Sequence, residues 1–249
     1  MAGAAFLSAF AAYTVGAGLV QIYTASENRL ALQELLPEAI ISCYDSYDDS
    51  QLSHLLDWAD VVCIGCGLGM GQISEKILKN VLKNVSCPCV IDADGLNLLS
   101  RNIELLNQCC APVILTPHMK EMSRLTGYSV QELKDNRREL LRKYTEKVHA
   151  VCVLKDSRTL VKAPEGRLMI NTTGNAAMAK AGSGDVLAGM ITGLMAQHMR
   201  PDDAAVLGVY LHGLCGDHAR KELGSYSVLA GDLLKMLGRT LKELEDMTE

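Results

Sequence analysis

Aromatic side chains are scarce in this 249-residue chain: one Trp, two Phe and eight Tyr. Flat platforms for stacking bases are therefore few. No basic run is present, and the formal net charge is −5, so a phosphate-backbone footprint is not expected. Proline is rare (6 residues), and no repeat, low-complexity run or Pro/Ser linker divides the chain. One domain over 1–249 is the reading this supports. The first twenty residues, MAGAAFLSAFAAYTVGAGLV, carry no charge. They resemble the apolar part of a signal peptide, but no Lys or Arg precedes them and the first positive residue is Arg29. A packed helix is the better reading, with a cytoplasmic location. The apolar stretch 184–196 is too short to span a bilayer, so no membrane role is expected.

Metal-binding cysteine spacing is also lacking. There are nine Cys. Cys63 and Cys66 form a CxxC inside DVVCIGCG, which reads as a buried strand entering a glycine turn. Cys87/Cys89 and Cys109/Cys110 have no matching His pairs. These are small buried hydrophobes in a reducing compartment.

What is present is alternation. Apolar runs such as AIISCY, DVVCIG, CVIDAD, PVILTP and AVCVLK alternate with helical segments, and the chain after residue 184 is nearly all helix. Strands apolar on both faces and separated by helices predict an α/β fold of three layers, α/β/α, with a central, mostly parallel sheet. Ligands in such folds bind beyond the carboxyl ends of the strands. Polar oddities gather at those ends: Gly65–Gly69, Asp92–Asn97, Thr116–His118, Lys155–Thr159 and Gly182–Asp185.

Each group has a plain structural reading beside its chemical one. GCGLGMG (65–71) is not a dinucleotide fingerprint, because Met70 stands where the third glycine belongs. It is a tight turn, or a backbone laid against a ligand. In DADGLN, Asp94 is a candidate helix cap, and Asp92 with Asp94 also suits Mg²⁺ held through water. His118 opens a helix, where its neutral form is favoured, and Glu121 reads as a first-turn carboxylate. VLKDSRTLV is two strands around a tight turn, either a solvated hairpin or the border of a nucleotide. GSGD (182–185) heads a buried helix whose N–H groups make an anion hole. Asp185 would repel an anion there, unless it acts as a base toward a hydroxyl that accepts a phosphoryl group.

GNAAMAKAGSGDVLAGMITGLMAQ resembles the signature of the ADP-dependent NAD(P)H-hydrate dehydratases, members of the ribokinase-like superfamily. IGCGLGMG, VIDADGLNLL, ILTPHMKEMSRLTG and VLKDSRTLV resemble that family's other blocks in the same order, as does GAGLVQIYTASENRLALQELLPEAI. The resemblance implies a reaction on NADHX or NADPHX, damaged cofactors hydroxylated at C6 of the reduced ring. ADP phosphorylates that hydroxyl. Phosphate then leaves, giving NADH or NADPH, AMP and phosphate.

It also implies residue roles. Asp185 is the base and contacts the hydrated ring. Gly182, Ser183 and Gly184 form the anion hole, with Gly184 beside the nucleotide. Lys155, Asp156, Ser157, Arg158 and Thr159 border ADP. Ala4, Gly67 and His118 line the hydrated cofactor. Asn175 orders phosphate or metal-bound water, and Asp92 and Asn97 support the site. Mg²⁺ is the expected metal, its protein ligands unassigned. A homotetramer and functional coupling to an NAD(P)HX epimerase are further implications.

The chain departs from the family pattern at Met119 and Lys120, at Asp156, and at its start. Family members begin with a strand and a glycine-rich turn before the MAGAA helix, and that strand is expected to be absent here. Two alternatives follow: a vitamin-precursor kinase of the same superfamily, or a nucleotide-binding fragment of impaired catalysis.

Overall fold

Along the inner strands, alternate residues enter two different cores. A computed structural model describes residues 1–247. In it, strand β4 (Cys89–Ile91) sends Val90 to one face of a sheet and Cys89 and Ile91 to the other. Strand β5 (Val113–Leu115) and strand β6 (Val151–Leu154) divide their residues in the same way. This is the two-residue period of a strand covered on both sides.

One face is covered by α1 (Ala2–Thr14), α8 (Ser183–Ala196), α9 (Pro201–Leu223) and α10 (Ala230–Asp246). The other is covered by α3 (Asp49–Trp58), α4 (Gln72–Asn84), α5 (Ala93–Leu99), α6 (Met119–Thr126) and α7 (Val130–Val148). Three α/β/α layers result, as the alternation predicted. No helix among the described residues is long and apolar enough to cross a membrane.

The main sheet has six strands in the order β3-β4-β5-β6-β7-β8, where β3 is Val62–Ile64, β7 Leu160–Lys162 and β8 Leu168–Ile170. It is parallel from β3 to β6 and antiparallel from β6 to β8. The expected central sheet is not continuous. Strand β1 (Gln21–Ala25), helix α2 (Arg29–Leu35) and strand β2 (Ile40–Tyr44) build a separate two-stranded parallel sheet. A cavity of about 760 Å³ lies between β1 and β3.

Helix α1 is held by close backbone approach. A side chain at Gly189 of α8 would start 2.0 Å from the Ser8 carbonyl oxygen, and one at Gly193 would start 2.5 Å from that of Ala12. The glycines let two helices touch nearly backbone to backbone. Gly189→Ala must push α1 away and is expected to lower stability by about 1–3 kcal/mol, read from the midpoint of urea unfolding.

Candidate functional site

Strands β3, β4, β5 and β6 end on one edge, and the five polar groups named from the sequence converge there. The turn after β3 runs directly beneath α5. Gly65 has φ +120°, and a Cβ on it would fall 1.8 Å from the Asp92 carbonyl oxygen, so only glycine fits. The loop is then tied down by Asp94, whose Oδ2 accepts from the Gly69 amide at 2.7 Å. The capping role expected of Asp94 is thereby corrected.

Asp92 does not cap the helix through its side chain either. It is 1% exposed, and its Oδ1 accepts from Lys155 Nζ at 2.7 Å. Burial pushes the Lys155 ammonium toward its neutral form, but Asp92 and Glu121 outweigh this and raise its pKa. The lysine is held charged. It also stands beside the head of α8, 3.1 Å from where a Cβ on Gly184 would lie.

Helix α8 begins at Gly182, in the left-handed region with φ +89°. The first N–H groups of a helix have no intrahelical acceptor, and here they head the helix at the sheet edge. Ser183 is buried, its Oγ 3.2 Å from His212 Nε2. Burial, with Lys155, pushes the His212 pKa down to about 4, so the imidazole is neutral. Asp185 lies in the first turn of α8. Burial and then the Asp92 carboxylate raise its pKa to about 6, although a Cys66 hydrogen bond pulls the other way. Cys66 in turn is hydrogen-bonded to Cys63 and partly buried, and both hold its thiol well above the ordinary range.

His118 closes the third side. Its Nδ1 accepts from the Lys120 and Glu121 amides at 3.1 and 3.2 Å, while Glu121 Oε2 accepts from the His118 amide at 2.8 Å. This capping box requires a bare Nδ1 and a neutral ring. Burial, then Lys155 and Arg124, lower the His118 pKa in agreement. Glu121 is a buried member of the group facing Lys155, with its pKa raised chiefly by burial.

Ala4 and Gly67 are brought together: a Cβ on Gly67 would lie 3.1 Å from that of Ala4. Asn97 accepts from Arg124 at 2.8 Å. Asn175 caps the short turn Ala176–Met178. Its amide donates to the Gly216 carbonyl at 2.9 Å and to Asp217 at 2.8 Å, and its Oδ1 accepts from Ala177 N at 3.0 Å. Both amide hydrogens are engaged in holding the 174–178 turn.

The turn after β6 splits in two. Lys155 points into the site, whereas Asp156 pairs with Arg137 at 3.2 Å, and Ser157 and Arg158 are exposed. Thr159 Oγ1 reaches back to the Asp156 carbonyl at 3.3 Å. Sequence reasoning did not reach Cys66, His212 or Asp217 as neighbours of the site. The only hint was that Cys66 sits between two glycines of the β3 turn.

Donor atoms of Cys66, Asp92 and Asp185 all lie within 4.8 Å of one another. The two carboxylates fit a hard cation such as Mg²⁺. A protonated thiol does not.

The family model described as NAD(P)H-hydrate dehydratase matches residues 1–239. The chain is 39% identical over 257 aligned positions to the bifunctional NAD(P)H-hydrate repair enzyme of Moorella thermoacetica, covering 100% of this chain and 48% of that protein. It is 35% identical to the ADP-dependent (S)-NAD(P)H-hydrate dehydratase of Bacillus subtilis, covering 98% of this chain and 86% of that one. The crystal structure of the B. subtilis ADP/ATP-dependent dehydratase, co-crystallised with ATP/Mg²⁺, superposes with a TM-score of 0.85 at 33% identity, over 98% of this chain and 85% of that one. The chain spans about half the length of the bifunctional relatives it matches.

Asp92→Asn leaves the Lys155 ammonium without its partner. Breaking a buried pair costs about 3–5 kcal/mol, and the lower end is expected because Lys155 keeps a side-chain exposure of 19%. The double variant D92N/K155M should recover part of that loss in urea unfolding.

Proposed function

The chain belongs to the NAD(P)H-hydrate dehydratase family, and from that premise we propose that it converts (S)-NADHX or (S)-NADPHX to NADH or NADPH with ADP as phosphoryl donor. The observation that carries the reading is Asp185: a carboxylate in the first turn of α8, beside the Gly182–Gly184 amides and the Asp92–Lys155 pair. Burial holds its pKa near 6, which suits a base working near neutrality.

In this reading Asp185 takes the proton of the C6 hydroxyl. The oxygen then attacks the β-phosphorus of ADP, and AMP departs. The amides at the head of α8 stabilise charge on the transferring group. Lys155 supplies a fixed positive charge beside them. The C6–O bond of the phosphate ester then breaks, inorganic phosphate departs, and loss of a proton from the adjacent C5 to solvent restores the C5–C6 double bond. Lys155, Asp156, Ser157, Arg158 and Thr159 border the nucleotide, and Ala4, Gly67 and His118 line the hydrated ring. Asp92 and Asp185 are the residues suited to hold Mg²⁺ through water. When bound, that ion neutralises charge on the nucleotide phosphates.

Coupling to an NAD(P)HX epimerase is supported by the bifunctional repair enzymes among the relatives. A cytoplasmic homo-oligomer, a tetramer as in the family resemblance, completes the proposal.

The test is the near-ultraviolet absorbance of the reduced nicotinamide ring when the protein meets NADHX, Mg²⁺ and ADP, with AMP measured alongside. Absorbance should rise with ADP. Phosphorylation of a thiazole alcohol by ATP, with no response to NADHX, would place the chain among the vitamin-precursor kinases instead. Asp185→Asn should lower kcat by about 10²–10⁴ with ADP affinity retained. Because the carboxylate is the active form and its pKa is raised, the wild-type rate should fall as pH drops through about 6. A flat profile there would remove Asp185 as the base. A second reading, ADP binding without turnover, is favoured by the interrupted sheet: ADP would then raise the melting temperature while absorbance stays level.

A further inference from the structure

Ligand atoms of unequal softness meet at the head of α8. They come from three separate elements: Cys66 from the turn after β3, Asp92 from the end of β4 and Asp185 from the first turn of α8. The Cys66 sulfur and one oxygen of each carboxylate lie within 4.8 Å of one another. Two carboxylates alone describe a site for a hard cation. The sulfur changes that description, because thiolate favours a softer metal.

The sulfur is carried on a fixed backbone. Cys66 stands between Gly65 at φ +120° and Gly67 at φ +72°. Gly65 in turn lies directly against the Asp92 carbonyl, so the turn that bears the thiol is packed on the backbone of the second ligand. The Asp92 side chain divides its two oxygens. Oδ1 accepts from Lys155 Nζ at 2.7 Å. Oδ2 stands 3.5 Å from where a Cβ on Gly184 would lie, one residue before Asp185. A metal taking Oδ2 leaves the ion pair intact.

Charge points the same way. With the thiol ionised, Cys66, Asp92 and Asp185 carry three negative charges. A divalent ion and the Lys155 ammonium balance them. Such a site avoids the cost of an uncompensated buried charge. Three protein ligands and one open position suit zinc that also takes water or a phosphate oxygen.

We propose that Cys66, Asp92 and Asp185 form a zinc site, with water or a phosphate oxygen as the fourth ligand. Binding replaces the Cys66 S–H bond by an S–Zn bond and releases the proton to solvent. Magnesium leaves the thiol protonated and uses oxygen donors alone. The two ions therefore compete for the same carboxylates, and only zinc engages the sulfur. Zinc bound there occupies the Asp185 carboxylate and switches the base off. That last step rests on the reaction proposed above, whereas the binding site rests on geometry alone.

Cadmium is the probe ion, because its bond to thiolate gives an ultraviolet charge-transfer band. It is titrated into the reduced 249-residue chain and into Cys66→Ser, Cys63→Ser and Asp185→Asn. The wild-type band should saturate at one equivalent and disappear when zinc is added. Cys66→Ser should lose it, and Cys63→Ser should match the wild type. Asp185→Asn should keep the band but bind about a hundredfold more weakly. Zinc should also lower turnover of NADHX with ADP and Mg²⁺. Cys66→Ser should need about a hundredfold more zinc for the same fractional loss, read against its own zinc-free rate. A band that survives in Cys66→Ser overturns the proposal. So does its loss in Cys63→Ser, which would mean a dithiol chelate, or cadmium binding by Asp185→Asn as tight as in the wild type. Absence of a stoichiometric band overturns it as well. Turnover that persists at full zinc occupancy removes the switching step. A chain without turnover is judged by the spectrum, so failure of the site and failure of the reaction are told apart.

Discussion

One buried ion pair organises the edge on which everything chemical depends. Asp92 follows β4 and Lys155 follows β6, with β5 between them. Their bond spans the middle strand and sets a fixed charge under the first turn of α8. Around it the signs alternate: Glu121 and Asp185 on the negative side, the α8 amides and the neutral rings of His118 and His212 as hydrogen-bonding groups. Burial and then the Asp92 carboxylate push the Asp185 pKa up to about 6, against a Cys66 hydrogen bond and the Lys155 charge.

Much of this was legible in the sequence because it is local. Apolar runs of strand length announced β2 to β6. The convergence of five polar groups followed from parallel topology alone. What escaped is non-local or weakly patterned. Helix α3 turns only Leu52 and Leu56 fully inward, too sparse a stripe to stand out among DSYDDSQ. The partnership of Asp92 and Lys155 joins residues 63 positions apart. The roles of His118 as a cap and Asn175 as a turn clamp depend on side-chain orientation, which spacing does not encode.

The two halves of the molecule are held by different means. On the β3–β8 side, ladders and two cores fix the site. On the β1–β2 side, attachment runs through α1, seated on α8 by glycines at 189 and 193 and by the small cluster of Ala9, Ile22, Leu32 and Leu36. The residues that line the hydrated ring in the proposed reaction come from both halves: Ala4 from α1, Gly67 from the β3 turn. The α1–α8 contact is thus what keeps them in register across the interrupted sheet.

The ordering of the site along the chain has a kinetic meaning. Gly65, Asp92, His118, Lys155 and Asp185 are spread over 120 residues of sequence and meet only at the sheet edge. Parallel pairing demands that long loops close before any contact rewards them, so such topologies fold slowly. No fragment short of the run from β3 to α8 contains the set. Recovery of the chemical site after dilution from denaturant is therefore a late event, and it reports assembly of the whole sheet, not of any one motif.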